Sequence, residues 1–156
     1  MDQKPAHEAS ILDKIAAWIP GYGGYLGRAD RRAADKLLRD AVADRLRAAR
    51  GGLDAVIKEA VDRGALEEIG VLERSRQRLD RLADRIRSAG SGTDAFWQGP
   101  IDEPKANTLQ SFDLALYERA DQLAAIAAAP GPGLEAELDS LERDIDRRAR
   151  LLQGLN

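Results

Sequence analysis

His7 is the only histidine and cysteine is absent, so the usual general base, a Ser-His-Asp triad, thiolate nucleophiles and most zinc ligand sets lack their parts. No Glu-x-x-His pair occurs, which removes the motif that holds two irons inside helical bundles. An all-carboxylate site could be assembled only on paper from Glu67, Glu68, Glu73, Asp113, Glu118 and Asp121, acids of the kind that solvated helix faces ordinarily carry. The run Gly21-x-Gly23-Gly24-x-x-Gly27 resembles a phosphate loop at first sight. It has neither the G-x-G-x-x-G spacing after a strand nor the Lys-Ser or Lys-Thr of a nucleotide loop, because Arg28-Ala29 follows it. No G-x-S-x-G elbow is present. These residues predict no catalytic group, no metal site, no cofactor and no small-molecule substrate, hence a protein that is not an enzyme.

The large rings are distributed more pointedly than the acids. Trp18, Tyr22 and Tyr25 form one group, Phe96 and Trp97 a second, and Phe112 and Tyr117 a third, while residues 26–95 contain no aromatic side chain. Rings gathered at one pole either seal the end of a core or form a partner or membrane surface, since Trp and Tyr suit places where one edge stays wet.

Helices must position these groups. The chain has 156 residues, enough for one domain with a sizeable core, and holds 27 Ala, 20 Leu and 19 Arg with few β-branched residues to cover a sheet. Ile11, Leu12, Ile15, Ala16 and Ile19 recur at spacings of three and four and predict a short amphipathic helix ending at Pro20-Gly21. From near Asp30, the stripe Ala34, Leu37, Leu38, Ala41, Val42, Leu46 and Ala49 resumes after Gly51-Gly52 as Leu53, Val56, Ile57, Ala60 and Val61. This predicts one long helix to about Asp62, softened or kinked at the two glycines. A further helix is expected over 66–89, another from Asp102 or Glu103 with Leu109, Phe112, Leu116, Ala120, Leu123 and Ile126 inward, and a last one carrying Leu134, Leu138, Leu141, Ile145 and Leu152. That last series is a heptad seam, as in a coiled coil, broken by Arg148. The short connections at 63–65 and 130–133 predict an all-α fold: an antiparallel up-down four-helix bundle with a long first bundle helix and an additional short N-terminal amphipathic helix. It is one domain overall, with 1–27 as N-terminal helix and Gly/aromatic turn and 28–156 as helical bundle.

Charge is segregated although the net value is only −3. Residues 28–50 and 74–87 each carry +4, residues 51–73 carry −4, and residues 101–156 carry −5. The basic faces of 28–50 and 74–87 are a distant candidate for nucleic acid, but pairing with acidic helices is the stronger expectation. Asp35 to Arg39, Asp139 to Arg143, Asp144 to Arg148 and Asp146 to Arg150 have the spacing of same-helix pairs. No run of 18 apolar residues and no leader pattern occurs, and with no cysteine this predicts a cytoplasmic protein. Residues 8–19 carry −1, so docking of the N-terminal helix on an anionic membrane surface would have the aromatic half of the signal without the basic half. The excess of Arg over Lys and of Ala hints at a GC-rich bacterial source.

Ile19-Pro20-Gly21-Tyr22-Gly23-Gly24-Tyr25, followed by Arg31-Arg32-Ala33-Ala34-Asp35-Lys36-Leu37-Leu38-Arg39, resembles the I-P-G-Y-x-G-Y and R-R-x-A-D-K-x-L-R pattern of a family of bacterial all-helical proteins with no established activity. Phe96 and Phe112-Asp113-Leu114-Ala115-Leu116 resemble its second block, with Phe96-Trp97-Gln98-Gly99-Pro100 in place of a Phe-Asp-Ala-Val-like run. The resemblance implies an adaptor beside membrane scaffold proteins of the SPFH or phage-shock kind, at the inner membrane face. With the aromatic grouping it marks Trp18, Tyr22, Tyr25, Arg31, Arg32, Asp35, Lys36, Phe96, Trp97 and Asp113 as an expected interaction surface. The expected function is a non-catalytic protein-interaction or adaptor module that binds a protein partner or itself through this pole. The alternative is a peripheral membrane protein docking through its N-terminal helix.

Overall fold

The computed structural model describes residues 6–25, 31–89 and 103–153. It is all-helical, with five helices packed against one another and no strand among the described residues: α1 (Ala6–Trp18), α2 (Arg31–Arg63), α3 (Leu66–Ser88), α4 (Glu103–Ala128) and α5 (Leu134–Leu152). Each begins and ends within a few residues of the place that apolar period, Gly and Pro predict.

α2 runs unbroken through Gly51 and Gly52, so at 1.5 Å per residue it is about 50 Å long. The two glycines are not equivalent. A side chain at Gly51 would meet open space, whereas a Cβ at Gly52 would lie 3.3 Å from the backbone nitrogen of Ala128 and 3.4 Å from the carbonyl carbon of Ala127. Gly52 is the point where α4 presses backbone against backbone on α2, and this close approach offsets the poor helix propensity of glycine. α2 continues eleven residues beyond it, about 16 Å, so its far end extends past the last turn of α4.

α2 packs against α3 and α4, α5 packs against α3 and α4, and α1 packs chiefly against α4. Ion pairs fix the register. Arg47–Asp84, Arg50–Asp80 and Arg76–Asp54 join α2 to α3 with numbers rising on one helix as they fall on the other. Arg78–Asp139 and Arg85–Asp146 join α3 to α5 with numbers rising together. Of the expected same-helix pairs, Asp35–Arg39 forms, while Asp139, Asp144 and Asp146 pair with Arg78, Arg119 and Arg85 on other helices.

The core is a continuous set of Leu, Ile and Ala: Leu38, Leu46, Ala49 and Leu53 of α2, Leu79 and Ile86 of α3, Leu109, Leu116 and Leu123 of α4, and Leu138, Leu141 and Ile145 of α5. Phe112 is half-buried, and the α4 face rotates toward Gln110, Asp113 and Tyr117, all buried.

Candidate functional site: a buried ionic pole

Of the expected pole, the segment from Trp18 to Tyr25 and Asp113 come together, and most of that part is inside. Pro20 ends α1, and the following backbone turns at Gly21 (φ +87°) and Gly24 (φ +83°) to carry Tyr22 and Tyr25 inward. Gly24 is required twice over. Its φ is one that residues with a Cβ rarely adopt, and a Cβ there would lie 3.0 Å from the Gln110 Nε2 and 3.3 Å from Leu12 Cδ1. The Tyr25 ring is fully buried, edge-on to Tyr22 with centroids 5.7 Å apart.

Tyr25 donates its hydroxyl hydrogen to Asp113 Oδ2. The other oxygen of Asp113 accepts from Arg148 Nε at 2.8 Å. Arg148 Nη2 in turn donates to Asp35 Oδ1, and Asp35 Oδ2 accepts from Arg39 Nε at 2.8 Å. Arg39 Nη1 donates to the carbonyl of Arg87 in the last turn of α3. One chain of bonds thus joins the Gly/Tyr segment, α4, α5, α2 and α3. Asp113, Arg148 and Asp35 are each at least 98% buried, and the two carboxylates balance the two guanidiniums. Arg31 is buried beside Asp35 at the start of α2.

The electrostatics follow from burial. Desolvation pushes the Tyr22 and Tyr25 hydroxyls far above the usual phenol range, and the charge of Asp113 adds to it. Both stay protonated. Burial also raises the Asp113 carboxyl above its ordinary value, against the pull of Arg148 and the hydrogen bonds from Arg148 and Tyr25. For Arg148 burial acts to lower the pKa, but the carboxylates of Asp113 and Asp35 outweigh it and hold the guanidinium charged.

Trp18 is the exception to burial. It is 42% exposed and stacks on the ring of Tyr117, with centroids 4.8 Å apart and planes 17° apart. Arg45 donates from Nε to the Tyr117 hydroxyl at 3.0 Å, lies over the ring at 5.7 Å and pairs with Asp121 at the surface. Arg32 and Lys36 are exposed on α2 and line an open groove of about 610 Å³ with Arg39, Asp40, Asp44 and Arg87. In that groove Arg87 pairs with Asp40 and Asp44, and Lys36 pairs with Asp40.

The ten marked residues therefore divide. Tyr22, Tyr25, Arg31, Asp35 and Asp113 come together but are buried, Trp18, Arg32 and Lys36 are exposed, and Phe96 and Trp97 lie outside the described residues. Arg148, Arg39, Gln110 and Tyr117 join them without having been marked. In the sequence Arg148 stood out as a break in an otherwise apolar heptad seam and as a same-helix partner for Asp144.

Many of the remaining charges meet between helices. Arg47, Arg50, Arg76, Arg78, Arg85 and Arg87 from the basic stretches each meet an acid on a neighbouring helix, whereas Arg32, Arg74 and Arg81 are exposed. Among the described residues no three acidic or histidine side chains gather as a metal site, and no helix is long and apolar enough to cross a membrane. No family model, no curated protein and no solved structure matches this chain.

Proposed function

We propose that this chain is a non-catalytic helical interaction module, in which the Gly/Tyr pole is a rigid mount and Trp18 on Tyr117 is the contact it presents. In this reading α2–α3 and α4–α5 are two antiparallel hairpins of a four-helix bundle, laid side by side with α3 along α5, and α1 is added outside on α4. The order of the α2–α3 and α3–α5 ion pairs supports that arrangement.

The observation that carries the functional reading is the division between committed and free groups. Asp35, Asp113, Arg148 and Tyr25, the side chains with chemistry to offer, are spent on one another inside the protein, whereas the largest ring of the pole stays half in water on an aromatic and cationic base. A rigid exposed Trp beside Tyr and Arg has the composition of an interface hot spot. The adaptor role at the inner membrane face rests on the sequence resemblance alone. Docking on lipid through α1 is disfavoured, because Ile11, Ile15 and Ile19, the residues that would enter the bilayer boundary, are buried within the protein.

The test is quantitative affinity capture from the native cell with the wild-type chain and with Trp18→Ala. Proteins whose recovery falls at least about tenfold with Trp18→Ala, a hot-spot loss of about 1.4 kcal/mol or more, support the reading. Identical recoveries for both chains overturn it.

A further inference from the structure

We infer that residues 6–25 are a strap that opens from α4 as one unit, uncovering a polar stripe on that helix while the rest of the fold stays closed. This stands apart from the role given to Trp18, since it concerns how the fold comes apart and not what binds it.

What lies under the strap differs from every other helix contact. Gly24 sits on the side chain of Gln110, Tyr25 is bonded to Asp113 and Trp18 stacks on Tyr117, so the covered stripe of α4 shows a carboxamide, a carboxylate and a phenol at successive turns. Away from the buried ions, the contacts among α2, α3, α4 and α5 are made of Leu, Ile and Ala, which water cannot satisfy. Lifting the strap leaves no stranded charge: Asp113 keeps Arg148, Arg148 keeps Asp35, and the Tyr117 hydroxyl keeps Arg45. Opening the strap exposes Ile11, Ile15 and Ile19 of the core, whereas opening α2, α4 or α5 would in addition separate the buried ions from one another.

The helix of the strap is also the least anchored of the five. α1 packs chiefly against α4, whereas α2, α3, α4 and α5 each pack against at least two other helices. What holds it shut is the burial of Ile11, Ile15, Ile19, Tyr22 and Tyr25. What favours release is the backbone freedom that Gly21 and Gly24 regain once they leave their positive-φ conformations. Closed is therefore the major state, and open a minor one reached without global unfolding.

Native-state hydrogen exchange of the full chain across low denaturant concentrations tests this. The amides of Ile19 and Tyr22, which donate to Ile15 and Ile19, report on the strap directly. The expected result is that amides from 11 to 25 exchange with one shared denaturant dependence, at least about tenfold faster than those of 109–127 in α4. Gly24→Ala, which forces a Cβ toward Gln110 and Leu12, should speed the strap amides a further tenfold or so while leaving α2 to α5 unchanged. If that variant does not fold, Tyr25→Phe removes the hydroxyl that meets Asp113 and should act in the same direction. A graded loss of protection from residue 6 inward, which is fraying, or equal acceleration of all five helices, overturns the proposal.

Discussion

Around Asp35, the first turns of α2 meet α4 and α5 through two aspartates, two arginines and a tyrosine, all buried and bonded in one chain. Around Leu53, some five turns further along the same helix, the partners are Ala49, Ile57 and Ala60 with Ala120, Leu123 and Ala127 of α4, and no charge is buried. The hydrocarbon half supplies attraction without direction, because any apolar face of similar shape would satisfy it. The ionic half supplies direction, because Arg148 bridges Asp113 on α4 and Asp35 on α2 in only one register of α5. Desolvating these ions offsets much of their mutual attraction, so their contribution is to register more than to net stability.

Breaking the ionic half should have the largest effect. Arg148→Met removes the guanidinium that bridges the buried Asp35 and Asp113, and about 3–5 kcal/mol of stability should be lost in denaturant titration. Adding Asp35→Asn and Asp113→Asn should return a substantial part of that loss, since the penalty belongs to the stranded charges. A triple variant less stable than Arg148→Met would contradict this account.

The hydrocarbon half should respond without such rescue. Leu53→Ala leaves a cavity in the Leu, Ile and Ala core worth about 2–4 kcal/mol, and adding Asp35→Asn and Asp113→Asn should return none of that loss. A return of stability in that triple variant would mean that the halves are not built differently after all.

Gly51 and Gly52 sharpen the contrast on a smaller scale. Gly51→Ala enters open space and should stabilise α2 by about 0.5–1 kcal/mol, whereas Gly52→Ala gains the same helix propensity but presses on the Ala127–Ala128 backbone. The thermal midpoint should rise for the first and be unchanged or lower for the second. A rise in both would show that α4 yields at its end.

Most of the fold was legible because it depends on apolar period and on Gly and Pro, which act over a few residues. Helix limits and the span of α2 follow from such local rules, whereas its passage through Gly51 and Gly52 without a break depends on the packing of α4 against it. The site was legible only in part. Ring grouping and the Gly/Tyr motif pointed to Tyr22, Tyr25 and Asp113 but left a sealed core end and a surface both open, because burial of a charge depends on partners remote in sequence. Asp35 meets Arg148 across 113 positions, and no spacing rule links them. Asp144 was expected beside Arg148 on the same helix, and that local pairing lost to Arg119 once α4 lay alongside. An arginine on an apolar seam is ambiguous by itself between a surface break and a buried bridge.

The smallest predicted effect asks whether the ionic half responds to protons while the hydrocarbon half does not. Burial raises the pKa of Asp113 in the folded protein above its ordinary value of 3.8, so the folded state binds this proton more readily than the unfolded state. Stability from this group is then fully present below pH 3.8 and is lost as pH rises through the raised value. Carboxylates such as Asp40, whose pKa is lowered chiefly by its hydrogen bond from Lys36, act in the opposite sense, so the comparison must be made against a variant that lacks only Asp113. The stability of the wild type minus that of Asp113→Asn should increase by a few tenths of a kcal/mol or more as pH falls from 7 toward 4. The same difference for Leu53→Ala should stay flat. A wild-type advantage that shrinks on acidification would mean that Arg148 and Tyr25 outweigh burial, leaving Asp113 with a carboxylate more acidic in the folded protein than in the unfolded chain.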